Sequence, residues 1–166
     1  HGQYDKDEAV FLIPATAAAY RKSFFENVGL FDEDFSSYFE DVDISFRGQL
    51  FGHKYMYVYQ AVVRHMGKAT SNKISHVRGF FELKNSMLVW IKNLPRDLFF
   101  DKRILQKLII FYSKLILIDP KPGKILLLLK VFAHIVVYFP QIFQKRKQIQ
   151  LRKITSDDYI ASYLYI

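Results

Sequence analysis

The segment Gly29-Leu-Phe-Asp-Glu-Asp-Phe-Ser-Ser-Tyr-Phe-Glu-Asp-Val-Asp-Ile-Ser-Phe-Arg-Gly-Gln-Leu-Phe-Gly52 carries six acids: Asp32, Glu33, Asp34, Glu40, Asp41 and Asp43. A charge run this dense is ordinarily a solvated face. Here Phe31, Phe35, Tyr38, Phe39, Val42, Phe46 and Leu50 interleave with the acids, so several carboxylates are expected against apolar packing. A carboxylate beside an apolar wall is suited to take up a proton. Val42, Phe46 and Leu50 recur at four-residue steps, which is one face of a helix. Asp43 and Arg47 are also four apart and can pair along that helix, a pair worth only ~0.3–0.5 kcal/mol. Glu40 and Asp41 fall at its first turn, where free backbone N–H groups and the helix dipole favour negative charge. They can be simple caps or an acid pair facing a substrate.

Upstream, Glu8 to Ile13 reads as a short buried strand ended by Pro14. Ala15-Thr-Ala-Ala-Ala-Tyr20 is small and smooth, so a ligand or another chain could approach its backbone closely. Ser23 and Glu26 have the spacing of a capping box, and Gly29 would end the helix they open. Downstream, Tyr55, Tyr57 and Tyr59 alternate with Met56 and Val58, then Ala61, Val63 and His65 with Val62 and Arg64. Period two predicts a strand, a kink near Gln60 and a second strand piece. A polar loop from Met66 to Lys73 follows, and then a helix from His76 to Asn93 stopped by Pro95.

The chain of 166 residues is long enough for one domain with a real core, and 51% of it is hydrophobic. It has no cysteine, which excludes disulfides and thiolate metal sites. The net charge of +8 belongs entirely to residues 101–166, because residues 1–100 balance. Two apolar runs, Ile104 to Ile118 and Ile125 to Phe139, flank the turn Asp119-Pro-Lys-Pro-Gly-Lys124. Each is shorter than the ~20 residues of a spanning helix. Each has a thin basic stripe: Arg103, Lys107 and Lys114 on the first, Lys130 and His134 on the second. Such helices suit a membrane interface; a helical hairpin packed on the globular part and a transmembrane hairpin are the other readings. Lys145, Arg146, Lys147, Arg152 and Lys153 then crowd into ten residues. Their simplest partner is an anionic membrane surface. Nucleic acid is not expected, since the apolar helices are unlike a groove-reading module.

Tyr38-Phe39-Glu40-Asp41-Val42-Asp43-Ile44-Ser45-Phe46-Arg47, preceded by Val28-Gly29-Leu30-Phe31-Asp32-Glu33 and followed by Gly52, resembles the acidic acceptor-site motif of family-two glycosyltransferases, in particular their bacterial rhamnosyltransferase-like branch. Val62 to Ser71, Phe80 to Asn85 with Lys92-Asn-Leu-Pro95, and the basic segment after Tyr138 resemble further parts of the same family. Ala15 stands where the family usually has glycine.

The resemblance implies an α/β fold: residues 1–100 as the acceptor-side half of a GT-A, Rossmann-like domain, and residues 101–166 as a helical, basic, membrane-associated region. The family's nucleotide-binding half and its Asp-x-Asp motif are not in this sequence, so the chain is expected to be a C-terminal piece, inactive alone. The implied activity is inverting transfer of a sugar from a dTDP- or UDP-sugar to a saccharide or lipid-linked saccharide acceptor, at the cytoplasmic face of a membrane. Asp41 is then the general base and Glu40 its neighbour or substitute. His65 is a ligand to Mg2+ or Mn2+, an ion shared with the Asp-x-Asp motif. Ala15, Thr16, Arg47, Lys68 and Ser71 are the expected substrate-binding residues. The alternative is a non-catalytic, membrane-peripheral binding module.

Overall fold

A computed structural model describes residues 4–65, 75–117 and 122–165. The elements in order are strand β1 (Glu8–Val10), a 3-10 turn (Ala15–Ala17), helices α1 (Lys22–Val28) and α2 (Glu40–Leu50), strand β2 (Tyr55–Tyr57), and helices α3 (Ser75–Asn93), α4 (Arg96–Phe99), α5 (Lys102–Leu117), α6 (Pro122–Val137), α7 (Phe139–Leu151) and α8 (Asp157–Leu164). β1 and β2 pair antiparallel, with Ala9 opposite Met56.

The described chain is 63% helix and 4% strand, which corrects the expectation of an α/β, Rossmann-like half-domain. The reason lies in strand pairing. A strand persists only where its backbone groups find a partner, and among the described residues β1 and β2 find only each other. Ala61 to His65 alternates like a strand but has no regular structure, and Val62 and Val63 are 82% and 59% exposed. The expected strand at Glu8–Ile13 is likewise cut to three residues.

Helices α2, α3, α5 and α6 form where apolar spacing predicts them, and α1 differs at its start. That helix begins at Lys22 behind Arg21, and no side chain caps it, so Ser23 lies inside the first turn. Gly29 ends it at φ 88°, a conformation other residues rarely adopt. Gly48 is required for a different reason: a Cβ there would lie 1.9 Å from the Tyr55 hydroxyl and 2.8 Å from the Phe24 ring.

One core joins both halves of the chain. Phe24, Ile44, Leu50, Leu88, Leu94, Ile142, Ile149 and Ile160 are all buried in it. α3 packs against α2, α6 and α7. Buried polar side chains tie α2 to its neighbours. Gln49 donates to the carbonyls of Val10 (3.2 Å) and Phe11 (3.0 Å) and accepts from the Tyr159 hydroxyl at 2.8 Å. Tyr55 donates to the Ser45 carbonyl at 3.0 Å.

Candidate functional site

The acid pair sits where the helix period places it. Glu40 and Asp41 are the first two residues of α2, and the turn before them is forced. Tyr38 and Phe39 both have φ 68°, in the left-handed region that is costly for aromatic residues. Asn85 on α3 holds that turn. Its Nδ2 donates to the carbonyls of Ser37 at 2.8 Å and Tyr38 at 2.7 Å. The two aromatic residues are thereby fixed in a conformation they would not choose, directly before the acids.

Asp41 accepts from two backbone groups: Oδ2 from the Ala15 N–H at 3.0 Å and Oδ1 from the Val42 N–H at 2.8 Å. The small turn at Ala15–Ala17 is thus brought onto the carboxylate, Thr16 with it. Both bonds leave lone pairs on the carboxylate free for a further donor. The Tyr20 hydroxyl is buried and has no hydrogen-bond partner. Burial raises its pKa, and the charge of Asp41 raises it further, so Tyr20 is a neutral hydroxyl within electrostatic reach of that carboxylate. Glu40 Oε2 is also buried without a partner. Asn85 Oδ1 and Asn93 Oδ1 are likewise buried without a partner, and such unsatisfied buried atoms are costly and uncommon.

Behind the pair lies a buried charge network. Asp43 is fully buried. Its Oδ2 accepts from Arg47 Nε at 2.9 Å, and its Oδ1 from Lys92 Nζ at 3.0 Å and Asn93 Nδ2 at 2.8 Å. Lys92 also binds Asp32, and Lys145 on α7 reaches Asp32 Oδ1 and Asp34 Oδ2 at 2.6 Å each. Burial alone would raise the Asp32 pKa. The charge of Lys92 and the hydrogen bonds from Lys145 and Lys92 win, and hold it well below the usual carboxylate range.

Arg47 belongs to this network. Besides Asp43, it donates through Nη1 to the Val28 carbonyl at 2.9 Å and through Nη2 to the Leu30 carbonyl at 2.8 Å. His65 is exposed in the irregular segment after β2. Among the described residues no three His, Asp or Glu side chains gather as metal ligands, so His65 offers a single imidazole and does not make a metal site with them. Lys68 and Ser71 lie outside the described residues.

The basic segment is also turned inward. Lys145 covers the two aspartates, and Arg146 donates to the carbonyls of Ile91 (2.6 Å) and Leu94 (2.7 Å). Arg152 lies over the Phe51 ring and binds the Asn27 carbonyl, and Lys153 pairs with Asp157. Four of the five cations therefore serve the fold, and Lys147 is exposed.

Sequence reading did not single out Tyr20, Asn85, Lys92 or Asp32 as parts of the site. A signal existed for two of them. Asn85 and Lys92 are seven residues apart, hence on one face of a helix whose other residues there are apolar. No family model, curated protein or solved structure matches this chain.

Proposed function

We propose that this chain carries the acceptor site of an inverting glycosyltransferase, with Asp41 as the general base. The observation that supports this most is the Asp41 carboxylate, oriented by the Ala15 N–H, next to the buried and unpartnered Tyr20 hydroxyl and Glu40 Oε2. An acceptor hydroxyl donating to Asp41 and accepting from Tyr20 would satisfy the tyrosine. In the reaction Asp41 takes the proton of that hydroxyl. The oxygen forms a bond to the anomeric carbon of a nucleotide-activated sugar as the bond to the diphosphate breaks, and the diphosphate leaves with the electron pair. Glu40 is the neighbouring acid. Arg47, Asp43 and Lys92 act as scaffold under α2. The donor is a dTDP- or UDP-sugar, and for the divalent ion of the resembled family the described residues offer one expected ligand, His65.

Membrane attachment at the cytoplasmic face is part of the same reading, with a change of agent. The exposed apolar side chains of α5 and α6, Ile109, Phe111, Leu129 and Phe132 among them, favour contact with lipid. The inward-turned basic segment supports it less. No single described helix is long and apolar enough to cross a membrane, although α6 from Gly123 and α7 pass that test together as a pair bent by 67°.

Asp41→Asn tests the reading in the protein supplied with its donor-binding partner region. Turnover should fall at least ~100-fold, the scale of a lost general base, while circular dichroism stays unchanged. Near-normal turnover would remove Asp41 from the mechanism and favour a non-catalytic binding module.

A further inference from the structure

Helix α2 starts later than its own sequence favours. Ser37-Tyr-Phe-Glu40 has the spacing of a capping box, with Ser37 as the N-cap and Glu40 three residues on. A helix capped by Ser37 would begin at Tyr38. Its first two backbone bonds would run from the Asp41 N–H to the Ser37 carbonyl and from the Val42 N–H to the Tyr38 carbonyl. The observed helix begins at Glu40 instead, behind Phe39, which gives no side-chain cap. Ser37 is exposed. The Glu40 carboxylate that would complete the box keeps Oε2 buried without a partner.

Asn85 accounts for the difference. The two carbonyls that the earlier helix needs are the two that Asn85 Nδ2 already engages, Ser37 at 2.8 Å and Tyr38 at 2.7 Å. With both held, the chain turns through Tyr38 and Phe39 at φ 68°. The Val42 N–H, parted from the Tyr38 carbonyl, goes to Asp41 Oδ1 at 2.8 Å. Oδ2 of the same carboxylate meets the Ala15 N–H at 3.0 Å. Asn85 is fully buried, and Lys84 beside it donates to the Asp34 carbonyl at 2.7 Å, so α3 grips three carbonyls of the segment that leads into α2.

We infer that Asn85 is a positioning residue for Asp41: by holding the Ser37 and Tyr38 carbonyls it blocks the earlier start of α2 and reserves the Val42 N–H for the Asp41 carboxylate. The inference rests on the reading of Asp41 as general base for its purpose in catalysis, but not for the hold on the helix. It also gives a reason for two aromatic residues in a left-handed conformation that is costly for each. In the earlier helix the Val42 N–H would pass to the Tyr38 carbonyl, and the Asp41 carboxylate would lose one of the two bonds that orient it.

Amide hydrogen exchange followed by NMR on the chain tests the hold, and steady-state kinetics on the protein supplied with its donor-binding region tests the consequence. Asn85→Leu keeps the size of the side chain and removes both bonds. The Asp41 amide should then exchange at least ~10-fold more slowly than in wild type, the scale of one backbone hydrogen bond gained. Turnover kcat should fall at least ~10-fold with KM little changed, as a displaced catalytic group predicts. Ser37 is exposed, so Ser37→Ala should be silent in the wild type. Added to Asn85→Leu, it removes the competing cap and should bring exchange and kcat most of the way back. Activity lost through poor packing around position 85 would not return in this way. Asn85→Ala takes the place of Asn85→Leu where the latter does not fold. An Asp41 exchange rate unchanged by the loss of Asn85, or a double variant that Ser37→Ala does not restore, overturns the inference. Slowed exchange with normal kcat, where Asp41→Asn is inactive, overturns the positioning role. Slowed exchange where Asp41→Asn keeps its turnover upholds the hold on α2 and sinks the catalytic reading alone.

Discussion

Asp43 shows how a single residue can be misjudged from spacing. Its place four residues before Arg47 predicts a weak surface pair, yet the side chain is fully buried and accepts from Arg47, Lys92 and Asn93. A buried charge keeps its ionised form only while its partners stay. Asp43→Ala strips Lys92 and Arg47 of a counter-charge and should destabilise the protein by about 3–5 kcal/mol, read from urea unfolding midpoints. A loss under about 1 kcal/mol, the surface-pair scale, would show the network to be dispensable. The order of residues reveals an acid and a base at helical spacing. The other partners of Asp43, Lys92 and Asn93, lie 49 and 50 residues away in sequence, and no local pattern announces them. The same limit hid Tyr20, whose link to Asp41 is purely spatial. The place of Asp41 in the first turn of α2 was legible, because helix period and acid position coincide there.

At the level of elements, four helices were readable, and the two strands were placed correctly but drawn too long. α2, α3, α5 and α6 lie within a few residues of where apolar spacing puts them. Period two misled at Ala61 to His65, since alternation creates a strand only if another strand pairs with it. On α6, Val131 is buried in the protein while Leu129, Phe132 and Val136 are exposed, so the helix packs on one side and leaves an apolar face outward. Phe132→Glu with Leu129→Lys should therefore reduce co-sedimentation with phosphatidylcholine vesicles at least ~10-fold, because two apolar contacts become charged. Binding to these neutral vesicles should persist at high salt. Dependence on anionic lipid, abolished at high salt, would return the role to the basic segment.

For the whole molecule, the ion network sets a pH window. Asp32 is held below its ordinary value near 3.8. A depressed carboxylate contributes stability above its unfolded pKa and loses it as pH falls through the folded one. Lys145 loses some proton affinity through burial and gains more from Asp32 and Asp34, so its pKa is raised. Its contribution is present below about 10.5, its ordinary value, and lost as pH rises further. Thermal midpoints should hold from about pH 5 to 9 and fall below about pH 4; Asp32→Asn should begin lower and lose much of that acid slope. An unchanged acid slope in the variant would clear Asp32 of the effect. The clamp also has a consequence for synthesis. Asp32 and Lys145 stand 113 residues apart, so when the acidic segment leaves the ribosome its cover has not yet been made. Closing so long a loop is slow, and α2 must wait, charged and exposed, for α7. A nascent chain stalled before α7 is the form in which this protein is most in need of a chaperone.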